Sequence, residues 1–341
     1  MTSRRARGRR RLLTSLGLAA GLALVAAGPA SATWSIVGVD QATGEVGVAI
    51  ASCANFETTF APTLVPGKGA AVSQANINRD SGQIFVKGLS GNASATAIID
   101  QLTAPSADAD QDTRVYGVVA FDRGADGYTG TKAPQVALDQ QNTSATASAQ
   151  GDNVTRAEVV ATSLVAFNQT PGSLSNKLLA GLQAGSLAGG DLDCGDQRAT
   201  AASLLVSKPG DKPYTATARL PDTFRAAIYS IYGREYVTRP DRDNVPSTFV
   251  SVLQTRNGDN AVDVLTRTYA EQRAAGNGPI HVRVVDPKAN QINTTGAAFR
   301  ILIAIILVVL LAIIGLAFWL VRRSTHRQAA AVGDGNAAEK E

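Results

Sequence analysis

The sequence predicts an α+β protein in which two packed β-sheets are flanked by helices, between an N-terminal signal peptide and a single C-terminal transmembrane helix. Three observations support this prediction. Strand-like runs are grouped first, helical periodicity fills the middle of the chain, and strand-like runs return near the end. An arginine-rich leader precedes the first strand. A long apolar run follows the last one.

The same changes in composition divide the chain into six segments. They are a signal peptide (1–32), a core (33–218), a helical extension packed on the core (219–285), a polar stalk (286–300), a transmembrane helix (301–321) and a cytoplasmic tail (322–341).

The leader has the three parts of a secretory signal. Six arginines and no acidic residue lie within the first 11 positions, Leu12–Ala27 is mostly apolar, and Ala30–Ala32 has the small-x-small form that signal peptidase cleaves. Cleavage is therefore expected between Ala32 and Thr33. The segment Arg9–Leu13 also resembles a twin-arginine signal, so that both export routes stay open.

The first strands are predicted from β-rich runs bounded by turn residues. Thr33–Val39 and Val46–Ala51 are expected to form a hairpin around the turn at 40–45. Further strands are predicted at Gly69–Ala75, at Arg114–Phe121 with a return strand through Thr129, at Ser144–Ala149, within 199–220 and at His281–Val285.

Helices are predicted where apolar residues recur at three- and four-residue spacing. These places are Ala93–Leu102, Arg156–Phe167 and Ser173–Ala184, followed late in the chain by Asp222–Gly233, Ser247–Gln254 and Asn260–Ala274. The glycine-containing segment Gly88–Ala97 is expected to be a turn and a helix start, with Ser90 or Asn92 as the N-cap.

The apolar run Ile301–Val321 predicts a membrane span. Its 21 residues match the roughly 30 Å hydrocarbon core at about 1.5 Å per helical residue. Trp319 stands where an interfacial aromatic is expected, and Arg322, Arg323 and Arg327 follow on the side that stays in the cytoplasm. We therefore expect a single-pass protein of the cell membrane, with the ectodomain outside and a short tail inside.

The net charge of +4 belongs to the two ends of the chain. Of 32 basic and 28 acidic residues, six basic ones lie in the leader, and four basic and three acidic ones lie in the tail. Residues 33–300 therefore hold 22 basic and 25 acidic residues, a net charge of −3. This balance does not indicate nucleic-acid binding.

The composition disfavours histidine and metal chemistry in the ectodomain. His281 and His326 are the only histidines, and the second lies in the predicted tail. A serine or cysteine triad would need His281, which has no nucleophile motif beside it. Two cysteines and one histidine far apart in sequence make a weak zinc set, and phosphate-loop and zinc-protease motifs are absent. We predict no cofactor and no metal.

One route to amide hydrolysis needs neither histidine nor metal. In N-terminal nucleophile (Ntn) chemistry, the hydroxyl of residue one attacks, and its own α-amine, with a pKa of about 8, accepts the proton. Cleavage after Ala32 would place Thr33 in that position. Thr33 is therefore the predicted nucleophile and base.

Several segments also resemble a known bacterial family. "TWSIVGVDQATGEVGVAIASC", "PGKGAAVSQANIN", "YGVVAFDRGADGYTG", "AQGDN" and "GSLAGGDLDCGDQRATAASLLV" are similar, in this order, to domain of unknown function 1028. The resemblance runs over roughly Thr33–Ala218. It implies the Ntn-hydrolase-like superfamily and its four-layer αββα sandwich.

The hairpin register and the cysteine count narrow the predicted site. A turn around Ala42 and Thr43 would place Thr33 opposite Ser52 and beside Cys53, with Asp40 on the order of 20 Å away as a turn residue. Cys53 and Cys194 are the only cysteines, and their pairing is favoured in an oxidising compartment. Free buried thiols or a reactive Cys53 are the alternatives.

Further side chains are candidates for substrate contacts. The disulfide would bring Asp191, Asp193 or Asp196 close enough to Thr33 to orient its α-ammonium or to bind a cationic substrate group, although each acid could equally cap a turn. Gln74 and Asn76 are oxyanion or substrate-binding candidates because their amides donate without losing a proton. Ser52, opposite Thr33, is a further candidate for such contacts. Candidates of second rank, which could also serve only as strand-end hydrogen-bond partners, are Thr129, Gly130, Gln150, Gly151 and Asn153. Ser35 shares the face of Thr33 by the two-residue period but could point into the intersheet core.

The leading functional hypothesis is a membrane-anchored extracellular Ntn-type amidohydrolase acting on a small amide or peptide-like substrate, with a homo-oligomer as one option. The alternative is a non-catalytic Ntn-like module that serves binding or structure at the cell surface. An enzyme that depends on histidine or a metal is disfavoured by the residue count.

Overall fold

Two large β-sheets and the helices outside them make up most of the described part of the chain. The computed structural model describes residues 33–53, 58–77, 80–133, 138–141, 146–215, 217–218, 238–239, 244–253, 258–276 and 278–285, all within one compact unit, 1–290. No helix in these ranges is long and apolar enough to cross a membrane. The predicted signal peptide (1–32), stalk (286–300), membrane span (301–321) and tail (322–341) lie outside them.

The described residues form fourteen strands. In chain order they are β1 (Thr33–Asp40), β2 (Glu45–Ser52), β3 (Pro62–Val65), β4 (Gly69–Ala75), β5 (Arg114–Ala120), β6 (Ala125–Thr129), β7 (Leu138–Gln141), β8 (Ala147–Asp152), β9 (Ala201–Ser207), β10 (Tyr214–Thr215), β11 (Thr217–Ala218), β12 (Thr238–Arg239), β13 (Thr248–Leu253) and β14 (Ile280–Val285). A seven-stranded sheet has the order β14-β13-β9-β2-β1-β8-β7, and a five-stranded sheet has the order β10-β3-β4-β5-β6. Strands β11 and β12 pair with each other.

Five α-helices and three short 3₁₀ helices accompany the strands in the described ranges. The α-helices are α1 (Ser81–Ser90), α2 (Ala95–Thr103), α3 (Glu158–Gln169), α4 (Leu174–Leu187) and α5 (Ala261–Ala275). The 3₁₀ helices are Thr58–Phe60, Gln111–Thr113 and Leu192–Gln197. The side chains of Ser94 and Ser173 accept hydrogen bonds from backbone amides in the first turns of α2 and α4, as N-cap residues do.

Three clusters of buried apolar side chains separate the layers. One joins the seven-stranded sheet to α3, α4 and α5, the second lies between the sheets, and the third joins the five-stranded sheet to α1 and α2. The layers therefore follow one another as helices, sheet, sheet and helices. The predicted α+β architecture with two sheets and flanking helices is confirmed.

Alternation along β1 fixes which residues face the other sheet. Trp34 and Ile36 pack on the helical side, and the Trp34 indole nitrogen donates to Leu182 O over 3.3 Å. Val37 and Val39 belong to the cluster between the sheets. Because side chains alternate along a strand, Thr33 and Ser35 also face the space between the sheets.

Three of the predicted elements need correction or comment. The helix predicted at Ser247–Gln254 is wrong, because this segment forms strand β13, which lies between β9 and β14. In so short an apolar run, a helical period and a strand period cannot be told apart. Helix α1 ends at Ser90 and α2 is capped by Ser94, so neither Ser90 nor Asn92 is the N-cap. The helix predicted at Asp222–Gly233 lies outside the described residues.

Candidate functional site

The space between the sheets has a polar end, at the start of β1. We define this polar end by seven residues, each at most 8% exposed: Thr33, Ser35, Ser52, Gln74, Ser148, Gln150 and Asp152. The opposite end, towards the β1–β2 turn, is apolar and contains Val37, Val39, Val46 and Val48. The polar end is therefore built into the interior of the fold.

Thr33 is the first residue of β1 and lies between two neighbouring strands. It pairs with Ser52 of β2 and with Asp152 of β8. The predicted hairpin register is confirmed, since every β1–β2 pair from Thr33 with Ser52 to Asp40 with Glu45 follows it. The Thr33 hydroxyl, on a residue only 8% exposed, donates to Ser52 Oγ over 3.2 Å.

Gln74 reaches this position from the other sheet. Its Nε2 donates to the carbonyl oxygen of Thr33 at 3.1 Å and to Asp152 Oδ1 at 2.9 Å. Its Oε1 accepts from the Ser35 hydroxyl at 2.6 Å. Gln74 thus lies beside Thr33, as an oxyanion candidate would, but both of its N–H groups already have acceptors. In this arrangement it holds the end of β1 to β8.

A chain of hydrogen bonds fixes the orientation of the Gln74 amide. Ser148 Oγ donates to Gln150 Oε1 at 2.8 Å, and Gln150 Nε2 donates to Ser35 Oγ at 3.1 Å. Ser35 then donates to Gln74 Oε1. Gly117 of β5 faces the Gln150 amide so closely that a Cβ at this position would overlap it. Each group in the chain therefore has a defined donor or acceptor role.

Asp152 and Ser148 are the members of the polar end that the sequence analysis did not identify as candidates. The Asp152 side chain is fully buried and accepts from Gln74 at the pair position of Thr33. Alternation supplied part of the signal, because Ser148, Gln150 and Asp152 stand at every second position of β8 and share a face, but it does not place that face beside Thr33. Of these three, only Gln150 was a candidate in the sequence analysis, which named Asn153 but not the adjacent Asp152.

The predicted disulfide between Cys53 and Cys194 is confirmed, with a Cα–Cα distance of 5.5 Å. It links the end of β2 to the 3₁₀ turn Leu192–Gln197. Asp191 is fully buried next to this link, where one carboxylate oxygen accepts from Cys53 N and the other from Asp193 N at 2.8 Å. Asp191 therefore caps the turn and also holds Cys53. The two sulfur atoms are bonded to each other and are not thiolate ligands for a metal.

The remaining candidates lie outside the polar end. Asn76 Nδ2 donates to Thr113 Oγ1 at 3.1 Å, and Thr129 is the β6 partner of Val115. Asn153 follows β8 in the left-handed region (φ 51°), and its carbonyl accepts from Leu192 N at 3.2 Å.

Two other polar residues have local structural roles. Asp40 accepts from Ala42 N and Thr43 N, so it is a turn residue as predicted. His281, on the edge strand β14, donates from Nε2 to Pro246 O at 2.9 Å.

Several described groups away from the polar end have shifted pKa values. Burial raises the pKa of Glu45, at the start of β2, and of Tyr128, in β6. A hydrogen bond from Lys132 lowers the pKa of Asp112, and the same contact raises the pKa of Lys132.

Comparison with known proteins gives one family and a similar solved structure. The model of the "Family of unknown function (DUF1028)" matches residues 33–222, so that the match begins at Thr33. The fold is similar to the crystal structure of protein SPO2555 from Silicibacter pomeroyi, of the same family, with a TM-score of 0.52 and 20% sequence identity, over 72% of this chain and 87% of that one. The search of curated proteins finds no match. On the family match, which covers more than half of its length, this chain belongs to the DUF1028 family of unknown function.

Proposed function

We propose that this protein is an Ntn-type amidohydrolase anchored at the cell surface, with Thr33 as its nucleophile after cleavage of the Ala32–Thr33 bond. The observation that carries the proposal is the position of Thr33. Its hydroxyl is at the first residue of β1, in the polar end between two sheets, and is oriented by Ser52. The layer order of helices, sheet, sheet and helices supports an Ntn-hydrolase-like sandwich.

The chemistry follows from a free Thr33. The α-amine accepts the hydroxyl proton, Oγ1 bonds to the carbonyl carbon of a small amide or peptide-like substrate, and the C–N bond breaks. The proton passes from the ammonium to the leaving amine. Water then cleaves the resulting ester, again with the α-amine as base. The Ser52 hydroxyl, 3.2 Å from Thr33 Oγ1, helps to orient the nucleophile.

The location is proposed from the two ends of the sequence. The leader 1–32 directs export, and the span Ile301–Val321 retains the protein in the membrane with Arg322 and Arg323 inside. The disulfide supports an oxidising compartment. Membrane fractionation of the whole chain and of a chain ending at residue 300 tests the anchor. Recovery of both in the soluble fraction would contradict it.

The activity is tested on the processed chain with a β-lactone probe, which acylates N-terminal threonines. N-terminal sequencing should give Thr33-Trp34-Ser35, and intact mass should show one probe adduct. The Thr33→Ala variant should lose the adduct, and Thr33→Ser should keep it because a hydroxyl remains. A mature chain that starts elsewhere, or an adduct that survives in Thr33→Ala, would disprove the assignment.

A non-catalytic binding module is the second candidate, and two observations favour it. Thr33 is only 8% exposed, and both N–H groups of Gln74 already donate to protein oxygens. A processed chain that begins at Thr33 but resists the β-lactone would support this reading, because the nucleophile would then be present and inaccessible.

A further inference from the structure

We propose that Asp152 is the charge partner of the Thr33 α-ammonium, so that removal of the leader both releases the amine and stabilises the fold. This inference rests on the proposed function, since it needs cleavage before Thr33. Asp152 acts on the reacting group through the amine and is a positioning residue. The inference rests on the contacts of Gln74, the register of β8 and the burial of the Asp152 carboxylate.

The register places Thr33 and Asp152 side by side. They are paired residues of the antiparallel strands β1 and β8. Paired residues on one face of such a ladder have Cβ atoms about 4.5–5.5 Å apart. Both face the space between the sheets, because Trp34 and Ile36 of β1 and Ala147 and Ala149 of β8 pack on the helical side. The carboxylate is therefore on the same face as the predicted nucleophile.

Gln74 connects Thr33 and Asp152 by direct hydrogen bonds. A single nitrogen, Nε2, donates to both Thr33 O and Asp152 Oδ1. The α-nitrogen of Thr33 is three bonds from that carbonyl oxygen, so Gln74 links the residue that would carry the amine directly to the carboxylate. The hydrogen bond from Ser35 to Gln74 Oε1 fixes the amide so that its N–H groups point at Thr33 and Asp152.

The burial of Asp152 gives the pair its energetic importance. The side chain has no exposed surface, so an opposite charge placed beside the carboxylate would interact with it strongly and with little screening by solvent. Cleavage before Thr33 would create a cation one residue across the ladder. The carboxylate would then hold the amine beside the Thr33 hydroxyl and strengthen it as a base.

Asp191 is the other buried carboxylate beside this strand end, and its contacts differ. Both of its oxygens accept main-chain N–H groups, from Cys53 and from Asp193. The other members of the polar end are serine, threonine and glutamine, which carry no charge near neutral pH. Asp191 is therefore a matched control for the loss of a buried carboxylate near Thr33.

The experiment uses the full chain with a specific protease site in place of the residues just before Thr33, so that one preparation is measured before and after the amine is released. We expect cleavage to raise the midpoint of thermal unfolding by several degrees, on the order of 2–4 °C per kcal/mol gained. In Asp152→Asn, where the amide oxygen can still accept from Gln74, the increase should be absent. Asp191→Asn should keep the increase, although its starting midpoint falls.

The second readout is the titration of the released amine, followed by NMR of labelled threonine. Asp152→Asn should lower the pKa of the Thr33 α-amine, so that its neutral fraction at pH 7 rises about tenfold or more, whereas Asp191→Asn should change it much less. An unchanged pKa of the amine in Asp152→Asn, or a larger effect in Asp191→Asn, would overturn the proposal.

If Asp152→Asn does not fold, the wild-type chain decides: an unfolding midpoint unchanged by cleavage rejects the pair. Neither readout needs turnover, so an active enzyme with an unshifted amine would refute only this inference.

Discussion

Replacement of Gln74 by leucine tests whether the polar end holds β1 in place. The change removes three hydrogen bonds at similar volume: the donations to Thr33 O and Asp152 Oδ1, and the acceptance from Ser35. Loss of the partner of a buried polar group costs about 1–3 kcal/mol, and more for a charged one. Thr33 O and Asp152 both lose a donor. We therefore expect the free energy of unfolding to fall by about 2–6 kcal/mol.

The assay is urea unfolding of the detergent-solubilised chain, with thermal unfolding as a second measure. Asn76→Leu is the matched control, because it removes the same amide two residues further along, where the group has a single side-chain contact, to Thr113. Surface substitutions with so few contacts usually change the free energy of unfolding by no more than about 0.5 kcal/mol. If Gln74→Leu loses no more stability than Asn76→Leu, the hydrogen bonds of the polar end do not stabilise the fold, and the account of Gln74 as a clamp on β1 is wrong.

Two further predictions concern the hairpin and its attachments. Replacing both Cys53 and Cys194 by serine removes a crosslink between residues 141 apart, so the free energy of unfolding should fall by about 2–5 kcal/mol; an unchanged urea midpoint relative to the oxidised wild type would contradict this. Burial raises the pKa of Glu45 above its ordinary value of about 4.5. The contribution of Glu45 to stability is therefore present at low pH and is lost as the pH rises through its folded-state pKa. Glu45→Gln should therefore raise the thermal midpoint at pH 7 but not at pH 3.5, and an equal gain at both values would refute the burial effect.

The sequence was sufficient for the parts of the site that depend on local geometry. A short turn and strict alternation on two adjacent strands set the register of Thr33 against Ser52, because a one-residue slip would exchange the buried faces. The two cysteines had one possible intramolecular pairing, and the predicted export into an oxidising compartment favoured it. The turn role of Asp40 followed from the same register.

The parts that the sequence did not predict depend on contacts between distant segments. Strand β8 joins β1 across more than a hundred residues, and no local signal places Asp152 beside Thr33. Gln74 was identified by its chemistry, but its partners come from β1 and β8, which lie in the other sheet. Strand β13 looked like a helix because its apolar residues are too few to show a period, and its place between β9 and β14 decides its conformation.

The contrast between the two ends of the intersheet space supports a functional role for the polar one. At the apolar end, valines of β1 and β2 stabilise the fold by burial alone. At the polar end, hydroxyls, amides and a carboxylate must each find a partner, and apolar groups of the same shape would be neutral or better for stability. A protein interior usually departs from good packing where chemistry is carried out. The departure here is centred on Thr33, which the proposed cleavage would make the first residue of the chain. In the proposed function, that one bond separates a structural strand end from a nucleophile with its own base.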